Sequence, residues 1–420
     1  MKLFVTVFDL DSIRAIDADH DGIELRAENL REVDLNALRA ATRKPIILTY
    51  RGSRVPDVEG ALRAGIDFVD VEWREDVEIV APERTVLSHH DYEGMRDVEA
   101  IMAAMRARGC AYTKLAATPQ NFAENERLLA LLPRRADVSS APPGADGTSA
   151  LLGMGERGLY SRILAPFRGS SLTFVAANAL AAPGQLTLSR AVEIYGAERE
   201  TLHAERVFAV VGNPAGHSLS PAIHNRLFRE KRVPAAYTIA SIESFDEITA
   251  AFLRGEPCGL SVTAPFKDAA FAFARDFELA PNARRARAVN TLVNLGDRIL
   301  ADNTDVDGFA ALLPRGVKKA AVIGAGGTGR AALVALEDAG IPATVFNRTV
   351  SRGDAPLEAL ARFDGDLVIN TLPPGVDAPV SPCCTYIEAA YGEKNTGGLA
   401  LLHAQAVRQH ELFMKVFDGL

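Results

Sequence analysis

The chain has 420 residues, of which 48% are hydrophobic and 24% are charged, and its formal net charge is −8. This length and composition are typical of a globular protein with two domains that each bury a core. The negative charge argues against a general nucleic-acid binder, which needs a basic surface. Asp9 and Asp11 come too early for a signal peptide, and no apolar run approaches the ~20 residues that span a membrane. With only four cysteines, we expect a cytoplasmic protein that binds small molecules rather than nucleic acid or membrane.

In the first half of the chain, eight short β-rich runs alternate with amphipathic helical patterns. This alternation is typical of parallel βαβ units. Eight such units in roughly 200 residues predict a (β/α)8 barrel, with a doubly wound sheet as the alternative. The runs are LFVTV, GIELRA, PIILTYR, DFVDVEW, TVLSHHD, AYTKLAA, SALLGM and SLTFVAA.

A polar segment, GAERETLHAE at 196–205, separates this half from a second series of strands. We therefore expect the barrel over residues 1–203 and a further α/β region over residues 204–420. A helix is predicted from Pro221. The strands of the second series lie in FAVVG, GLSVT, AVNTLV and KKAAVIGAGGTG, and the last of these indicates the start of a nucleotide-binding unit.

Lysine is rare in this chain: only nine of its 46 basic residues are lysines. A buried lysine can lose its proton and act as a nucleophile or acid–base group, whereas arginine stays protonated. Lys114 lies in the apolar run YTKLAA, where burial favours a neutral amine that could form a Schiff base with a ketone. Such a lysine can also extend its ammonium group to the surface, so the residue type alone leaves both interpretations open.

Polar residues end several predicted strands of the barrel. Catalytic side chains gather at the C-terminal ends of the strands in this fold. His90 could transfer protons beside Lys114. The arginines could bind a carboxylated, hydroxylated substrate or belong to structural ion pairs. The candidates are Glu24, Arg26, Arg51, Glu72, His90, Lys114 and Arg162.

An ordered set of motifs covers nearly all of this half and resembles type I 3-dehydroquinate dehydratase. The motifs are ELR (24–26), TYR (49–51), DVE (70–72), SHHDY (88–92), YTKLA (112–116), MGxxGxxSR (154–162) and APGQ (182–185). The resemblance implies that Lys114 forms a Schiff base with the C3 ketone of 3-dehydroquinate. It implies that His90 is the general base and acid for the loss of water. It also implies a substrate-binding set of Glu24, Arg26, Arg51, Arg162 and Gln185.

Two positions depart from that family. Shortly after the TYR arginine the family carries a glutamate that helps to hold the histidine, whereas this chain has Val55, with Glu59 as a candidate substitute. Ala181 replaces the serine that the family places before APGQ. The alternative is therefore a barrel that has become a ligand-binding module, and the presence of both Lys114 and His90 counts against it.

Residues 322–329, VIGAGGTG, place a G-x-G-x-x-G sequence between a predicted strand and a predicted helix. This is the context of a dinucleotide-binding turn, in which the backbone approaches a pyrophosphate at the helix N-terminus. NAD enzymes carry an acid at the end of the next strand, where this chain has Asn347, Arg348 and Thr349, followed by Arg352. Two guanidinium groups favour the 2′-phosphate of NADP, unless both face solvent.

Further motifs surround this turn and, together with it, resemble shikimate dehydrogenase over most of residues 207–420. They are GNPAGHSLSPAIHN (212–225), SVTAPFK (261–267), AVNTLV (288–293), DNTDVDG (302–308) and LLHAQA (401–406). Reduction of a ketone by hydride needs a proton donor at the oxygen, and a lysine paired with an aspartate can provide one. Lys267 and Asp305 are of the right types, although 38 residues separate them in the sequence.

The resemblance implies that Lys267 and Asp305 carry out catalysis. It implies that shikimate is bound by Ser218, Ser220, Thr263, Asn290, Asp305 and Gln405, and that NADP is held by Gly324, Ala325, Gly326, Gly327, Asn347, Arg348, Thr349 and Arg352. It implies a substrate lobe over about 204–312, an NADP-binding lobe over about 313–395, and a helix over about 396–420 that returns to the substrate lobe. In this chain Ser261 replaces the first Asn of the family's NVTxPxK motif, and the stretch after Tyr391 is shorter.

Together, the two resemblances predict a bifunctional enzyme. Its first domain would dehydrate 3-dehydroquinate to 3-dehydroshikimate, and its second would reduce that product with NADPH to shikimate. An alternative for the second domain is a quinate or shikimate dehydrogenase that works oxidatively with NAD, against which Arg348 and Arg352 argue.

Overall fold

The computed structural model describes the chain apart from residues 29, 31–32, 52–56, 133–148, 178–181, 374–375, 377–383, 393–395 and 419–420. The chain divides into two compact units. One consists of Met1–Glu205 and Phe228–Ile242, and the other of Arg206–Leu227 and Glu243–Leu420.

Eight parallel strands of the first unit form a nearly closed barrel. They are β1 (Lys2–Val7), β2 (Gly22–Arg26), β3 (Ile46–Thr49), β4 (Phe68–Glu72), β5 (Thr85–Asp91), β6 (Tyr112–Ala117), β7 (Ser149–Gly153) and β8 (Leu172–Ala176). Their order is β7-β6-β5-β4-β3-β2-β1-β8. Where β8 returns toward β7, the amide of Ser171 donates to the carbonyl of Ser149 at 2.8 Å. The predicted (β/α)8 barrel is confirmed, and the doubly wound alternative is wrong for this unit.

The barrel strands are almost continuously buried, because helices cover their outer faces and side chains fill the interior. Phe4, Ile47, Val86 and Phe174 pack in one buried cluster. Side chains of a strand alternate between its two faces, so Lys114 lies on the opposite face from Leu115. The helices of this unit are α1 (Leu10–Arg14), α2 (Leu35–Ala41), α3 (Val58–Arg63), α4 (Val98–Arg106), α5 (Phe122–Leu129), α6 (Leu159–Leu164) and α7 (Leu188–Tyr195).

Helix starts in the first unit follow local sequence signals. The side chains of Asp34, Asp57, Asn121 and Thr187 accept hydrogen bonds from backbone amides three residues further on. These caps satisfy amides that have no partner within the helix. The strand β10 (Ala235–Ser241) also belongs to this unit.

The second unit contains a mixed sheet and a parallel sheet. The strands of the mixed sheet within this unit run in the order β9-β11-β13-β14-β12, and the parallel sheet has the order β17-β16-β15-β18-β19. The strands are β9 (Arg206–Gly212), β11 (Gly259–Val262), β12 (Glu278–Leu279), β13 (Thr291–Asn294), β14 (Ile299–Asp302), β15 (Ala320–Ile323), β16 (Ala343–Asn347), β17 (Ala355–Pro356), β18 (Leu367–Asn370) and β19 (Thr385–Glu388). The parallel sheet has the topology of a dinucleotide-binding fold, which confirms the predicted Rossmann-like lobe.

The remaining helices begin in the second unit. They are α8 (Ser220–Lys231), α9 (Asp246–Leu253), α10 (Lys267–Phe273), α11 (Pro281–Ala286), α12 (Asp305–Leu312), α13 (Gly327–Asp338) and α14 (Leu399–Met414). Short 3₁₀ helices cover Pro82–Arg84, Ala165–Arg168, Arg199–Thr201, Ala274–Asp276, Val350–Arg352, Leu357–Arg362 and Lys415–Phe417. Among the described helices, none combines the length and hydropathy needed to cross a bilayer.

Candidate functional site

Lys114 lies at the centre of a buried ionic cluster in the barrel. Its Nζ donates to Glu24 Oε1 at 2.9 Å and to Asp70 Oδ2 at 3.3 Å, and it lies 3.9 Å from the ring centroid of Phe174. The lysine side chain is only 4% exposed. The amine is therefore buried among carboxylates and one aromatic ring. The next residue, Leu115, packs in another hydrophobic cluster than Phe174. The carboxylates beside the lysine come from the strands β2 and β4.

Arg51 is held by carboxylates of β4. Its two Nη atoms donate to the two oxygens of Asp70 at 2.6 and 3.0 Å, and Nη1 lies 3.3 Å from Glu72. Burial raises the pKa of Asp70, but the charges of Arg51 and Lys114 outweigh burial and hold that pKa well below its usual range. The positive charge of Arg51 is thus already compensated by carboxylates. Arg51 is also absent from the residues that line the cavity beside Lys114.

His90 is fixed from both sides of its ring. Nδ1 lies 3.0 Å from Glu72 Oε2, and Nε2 lies 3.3 Å from Arg51 Nη2. Its backbone amide also donates to Glu72 Oε1 at 3.1 Å, and its ring stacks on Tyr92 with centroids 5.8 Å apart. Burial and the charge of Arg51 lower the pKa of His90 despite the opposing effect of Glu72. The imidazole is therefore neutral at pH 7 and available as a base.

The sequence analysis assigned no role to Asp70 or Glu72, although both contact the predicted catalytic residues. The spacing of DVE on one strand was the available signal, because positions i and i+2 share a face. Val55 lies outside the described residues. Glu59 is exposed and pairs with Arg63 at 3.0 Å, so the expectation that it replaces the loop glutamate is wrong. The acid that contacts the histidine is Glu72.

Arg162 is a buried cation of the same cavity. Its guanidinium donates to the carbonyls of Gly153 at 3.3 Å and Phe174 at 3.2 Å, and no described residue forms an ion pair with it. Burial lowers the pKa of Arg162 to about 10. Since a buried charge without a counter-ion is costly, this guanidinium is well suited to an anionic ligand.

The structure brings most of the predicted dehydratase residues together around a narrow cavity of about 30 Å³. Gln185 Nε2 donates to Thr6 Oγ1 at 3.1 Å, and Arg26 pairs with Glu28 at 2.5 Å. The predicted residues that line the cavity are Glu24, Arg26, His90, Lys114, Arg162 and Gln185.

The second unit brings Lys267 and Asp305 into contact across 38 residues of sequence. Lys267 begins α10 and Asp305 begins α12. Lys267 Nζ donates to Asp305 Oδ2 and, at 2.8 Å, to Thr328 Oγ1. Asn290 Nδ2 donates to the other oxygen of Asp305 at 2.9 Å. The lysine–aspartate pair predicted from the residue types therefore exists, and Thr328 is an additional partner that the sequence analysis missed.

This pair lies in a cavity of about 720 Å³. All seven of the predicted catalytic and shikimate-binding residues line it: Ser218, Ser220, Thr263, Lys267, Asn290, Asp305 and Gln405. Ser261 also lines the cavity, and its Oγ donates to Gln409 Oε1 at 2.6 Å. Gln409 was missed, although it lies four residues after Gln405 and thus on the same face of α14.

The glycine loop after β15 has the form of an anion cradle. Gly324 has a φ of +97°, and a Cβ on Gly329 would lie 2.1 Å from the carbonyl oxygen of Gly324. A Cβ on Gly326 would meet no described atom within 4 Å, and no side chain caps α13 at this residue. The open backbone amides of this turn fit a pyrophosphate.

The predicted ribose-phosphate residues follow β16. Asn347 ends that strand, and its Nδ2 donates to the carbonyl of Thr349 at 3.0 Å. Arg348, Thr349 and Arg352 are exposed. Their side chains are accessible to a ligand at this edge of the parallel sheet.

Two family models match different segments of this chain. Residues 8–201 match the family model for type I 3-dehydroquinase, and residues 210–292 match that for the shikimate dehydrogenase substrate binding domain. The chain is 29% identical over 402 residues to the shikimate biosynthesis protein AroDE of Chlamydia pneumoniae, which covers 86% of this chain and 80% of that protein.

It is 26% identical over 400 residues to the chloroplastic bifunctional 3-dehydroquinate dehydratase/shikimate dehydrogenase of Arabidopsis thaliana, which covers 84% of this chain and 64% of the relative. The chain thus spans less than two thirds of the length of that protein. A solved structure of dehydroquinate dehydratase and shikimate dehydrogenase from S. pombe AroM is 22% identical, with a TM-score of 0.39, over 99% of this chain and 98% of that one. By these family matches, residues 8–201 are similar to type I 3-dehydroquinase and residues 210–292 to the substrate binding domain of shikimate dehydrogenase.

Proposed function

We propose that the chain catalyses two consecutive reactions of the shikimate pathway. The first unit dehydrates 3-dehydroquinate to 3-dehydroshikimate, and the second reduces this product with NADPH to shikimate. The observation that carries the proposal is that each family segment contains a lysine bound to carboxylate and lining a cavity. The product of the first reaction is the substrate of the second, so the two activities are chemically coherent in one chain.

In the first unit, Lys114 acts as the nucleophile. Its amine adds to the substrate ketone, and loss of water gives an iminium ion, which draws electrons from the adjacent carbon. Before this attack the ammonium must release a proton, and Glu24 is within hydrogen-bond distance to accept it. Hydrolysis of the iminium after dehydration restores the free lysine and releases the product ketone.

His90 transfers the proton of the elimination step. Glu72 can only accept a hydrogen bond, so it holds the proton on Nδ1. The lone pair of Nε2 faces Arg51 Nη2 at 3.3 Å, and it acts as the base once the substrate displaces that contact. The imidazole takes a proton from the carbon next to the iminium and returns it to the departing hydroxyl as water forms. Arg162, which has no ion-pair partner among the described residues, binds the substrate carboxylate, while Arg26 and Gln185 bind hydroxyl groups.

In the second unit, Lys267 is the proton donor. Its ammonium faces the cavity and gives a proton to the ketone oxygen, while Asp305 holds the amine in place. The hydride for the carbonyl carbon would come from the nicotinamide cofactor when it is bound. The glycine loop would hold the pyrophosphate of this cofactor. Arg348 and Arg352 favour NADP over NAD, because they follow β16, where NAD enzymes carry an acidic residue.

The direct test is to incubate the purified chain with 3-dehydroquinate and NADPH and to quantify both products. We expect shikimate. Accumulation of 3-dehydroshikimate would contradict the reductase assignment or its NADPH preference, which a parallel assay with NADH separates. If neither product forms but added 3-dehydroshikimate is reduced, the barrel is a ligand-binding module. Borohydride trapping with 3-dehydroquinate should add ligand mass at Lys114, and an unmodified Lys114 would contradict the Schiff base.

A further inference from the structure

The catalytic lysine of the second unit lies across the first turn of α13. Its Nζ donates to Thr328 Oγ1 at 2.8 Å. A Cβ on Gly327 would lie 3.1 Å from Lys267 Cβ and 3.2 Å from its Cδ. The stem of the lysine thus packs on the bare backbone of Gly327 while its amine binds the next side chain. Both contacts come from the turn that completes the glycine loop.

Two acceptors contact the amine of Lys267. An ammonium group has three N–H donors, of which Asp305 and Thr328 each accept one. These two acceptors come from different helices, α12 and α13, so the amine is held at two points. With both in place, the third N–H is left for a ligand in the cavity that all three residues line.

We propose that Thr328 is a positioning residue that holds Lys267 for proton transfer and connects the lysine to the glycine loop. The role in proton transfer rests on the proposed reductase activity. Thr328 belongs to the same turn whose uncapped amides form the anion cradle. A ligand that moves this turn also moves the hydroxyl that the lysine binds.

The hydroxyl can be removed without changing the shape of the side chain. Thr328→Val keeps the branched Cβ, whereas Thr328→Ser restores the hydroxyl. We expect Thr328→Val to lower kcat for 3-dehydroshikimate reduction about tenfold with KM changed less than about twofold, in line with the loss of one hydrogen bond to a charged group. Thr328→Ser should retain kcat within about twofold. A matched control is Thr249→Val, which removes an exposed hydroxyl bound to the carbonyl of Asp246 and should leave both constants unchanged.

A second measurement does not depend on turnover. Acetic anhydride labels free amines, and mass spectrometry can report the labelling of Lys267 relative to the exposed Lys415 in the protein without cofactor. We expect Thr328→Val to label at Lys267 at least about threefold faster, because the amine loses one of its two anchors. Thr328→Ser should label like the wild type.

The two measurements separate the proposals. A wild type that fails to reduce 3-dehydroshikimate would contradict the proposed function, and labelling would still test the contact of Thr328. Equal kcat and equal labelling in the wild type and Thr328→Val would overturn the positioning role. A loss of thermal stability with both values unchanged would mean that Thr328 only supports the fold.

Discussion

The two lysines are placed in very different surroundings. Lys114 is 4% exposed, contacts two carboxylates and lies at a cavity of about 30 Å³. Lys267 is 14% exposed, contacts one carboxylate and one hydroxyl, and lies at a cavity of about 720 Å³. A buried charge needs partners in proportion to the solvent it has lost. The barrel interior supplies them from neighbouring strands, whereas the second cavity lets water and ligand serve part of that need.

The comparison also separates two catalytic uses of lysine. A nucleophile that forms a covalent intermediate must be shielded from solvent while the intermediate exists, because water would otherwise hydrolyse it before dehydration is complete. A proton donor needs one fixed partner and an open side toward the substrate. The cluster of Lys114, with Glu24 and Asp70, matches the first requirement, and the pair of Lys267 and Asp305 matches the second.

The largest effect is expected for Lys114→Ala. Loss of the nucleophile should lower kcat for dehydration by at least about 10³-fold, because no other lysine is among the described residues that line this cavity. Reduction of added 3-dehydroshikimate by the same variant should stay at the wild-type rate. A dehydration rate within tenfold of wild type, measured by the appearance of 3-dehydroshikimate, would contradict covalent catalysis.

Lys267→Ala should lower kcat for reduction by about 10²–10⁴-fold, the range of general-acid catalysis. Much of the substrate affinity should remain, because Ser218, Asn290 and Gln405 still line the cavity. Steady-state kinetics and direct titration with shikimate measure the two quantities. An unchanged kcat would remove Lys267 from the mechanism, and retained shikimate binding by the variant would show that the second unit is folded.

Asp70→Asn tests the difference in charge compensation. Asp70 is 1% exposed and contacts both Arg51 and Lys114, so its neutralisation leaves two buried cations under-compensated. We expect a loss of unfolding free energy of about 3–5 kcal/mol, measured by urea denaturation. Asp305→Asn, beside the larger cavity, should cost less. Equal losses for the two variants would mean that enclosure does not set the need for partners.

Much of this architecture follows from local patterns. The eight barrel strands were predictable because parallel strands are nearly continuous apolar runs, and Lys114, His90 and Lys267 were predictable because each lies in a specific motif. The partners were harder to predict, since they depend on strand register and on contacts between distant segments. Asp70 is 44 residues from Lys114, and Thr328 is 61 residues from Lys267.

The smallest effect concerns the pH dependence of dehydration. His90 works as a base only when neutral, and its pKa in the folded protein is lowered by burial and Arg51. Activity should therefore be present above this lowered pKa and be lost as the pH falls through it, which places the acid limb of kcat/KM below pH ~6.5. Glu72 raises the pKa of His90. Glu72→Gln should thus move the acid limb to still lower pH and reduce the rate at pH 7 about tenfold through poorer ring orientation.

The groups that face His90 define the control for this experiment. Glu72, Arg51 and Lys114 act on its charge, whereas Glu59 is exposed and occupied by Arg63. Glu59→Gln removes the same charge from the same unit and should leave both the limb and the rate unchanged. If Glu59→Gln shifts the acid limb and Glu72→Gln does not, the histidine is oriented from the loop side of the barrel. A shift confined to Glu72→Gln would mean that β4 orients the base and, through Asp70, also compensates the charge of the nucleophile.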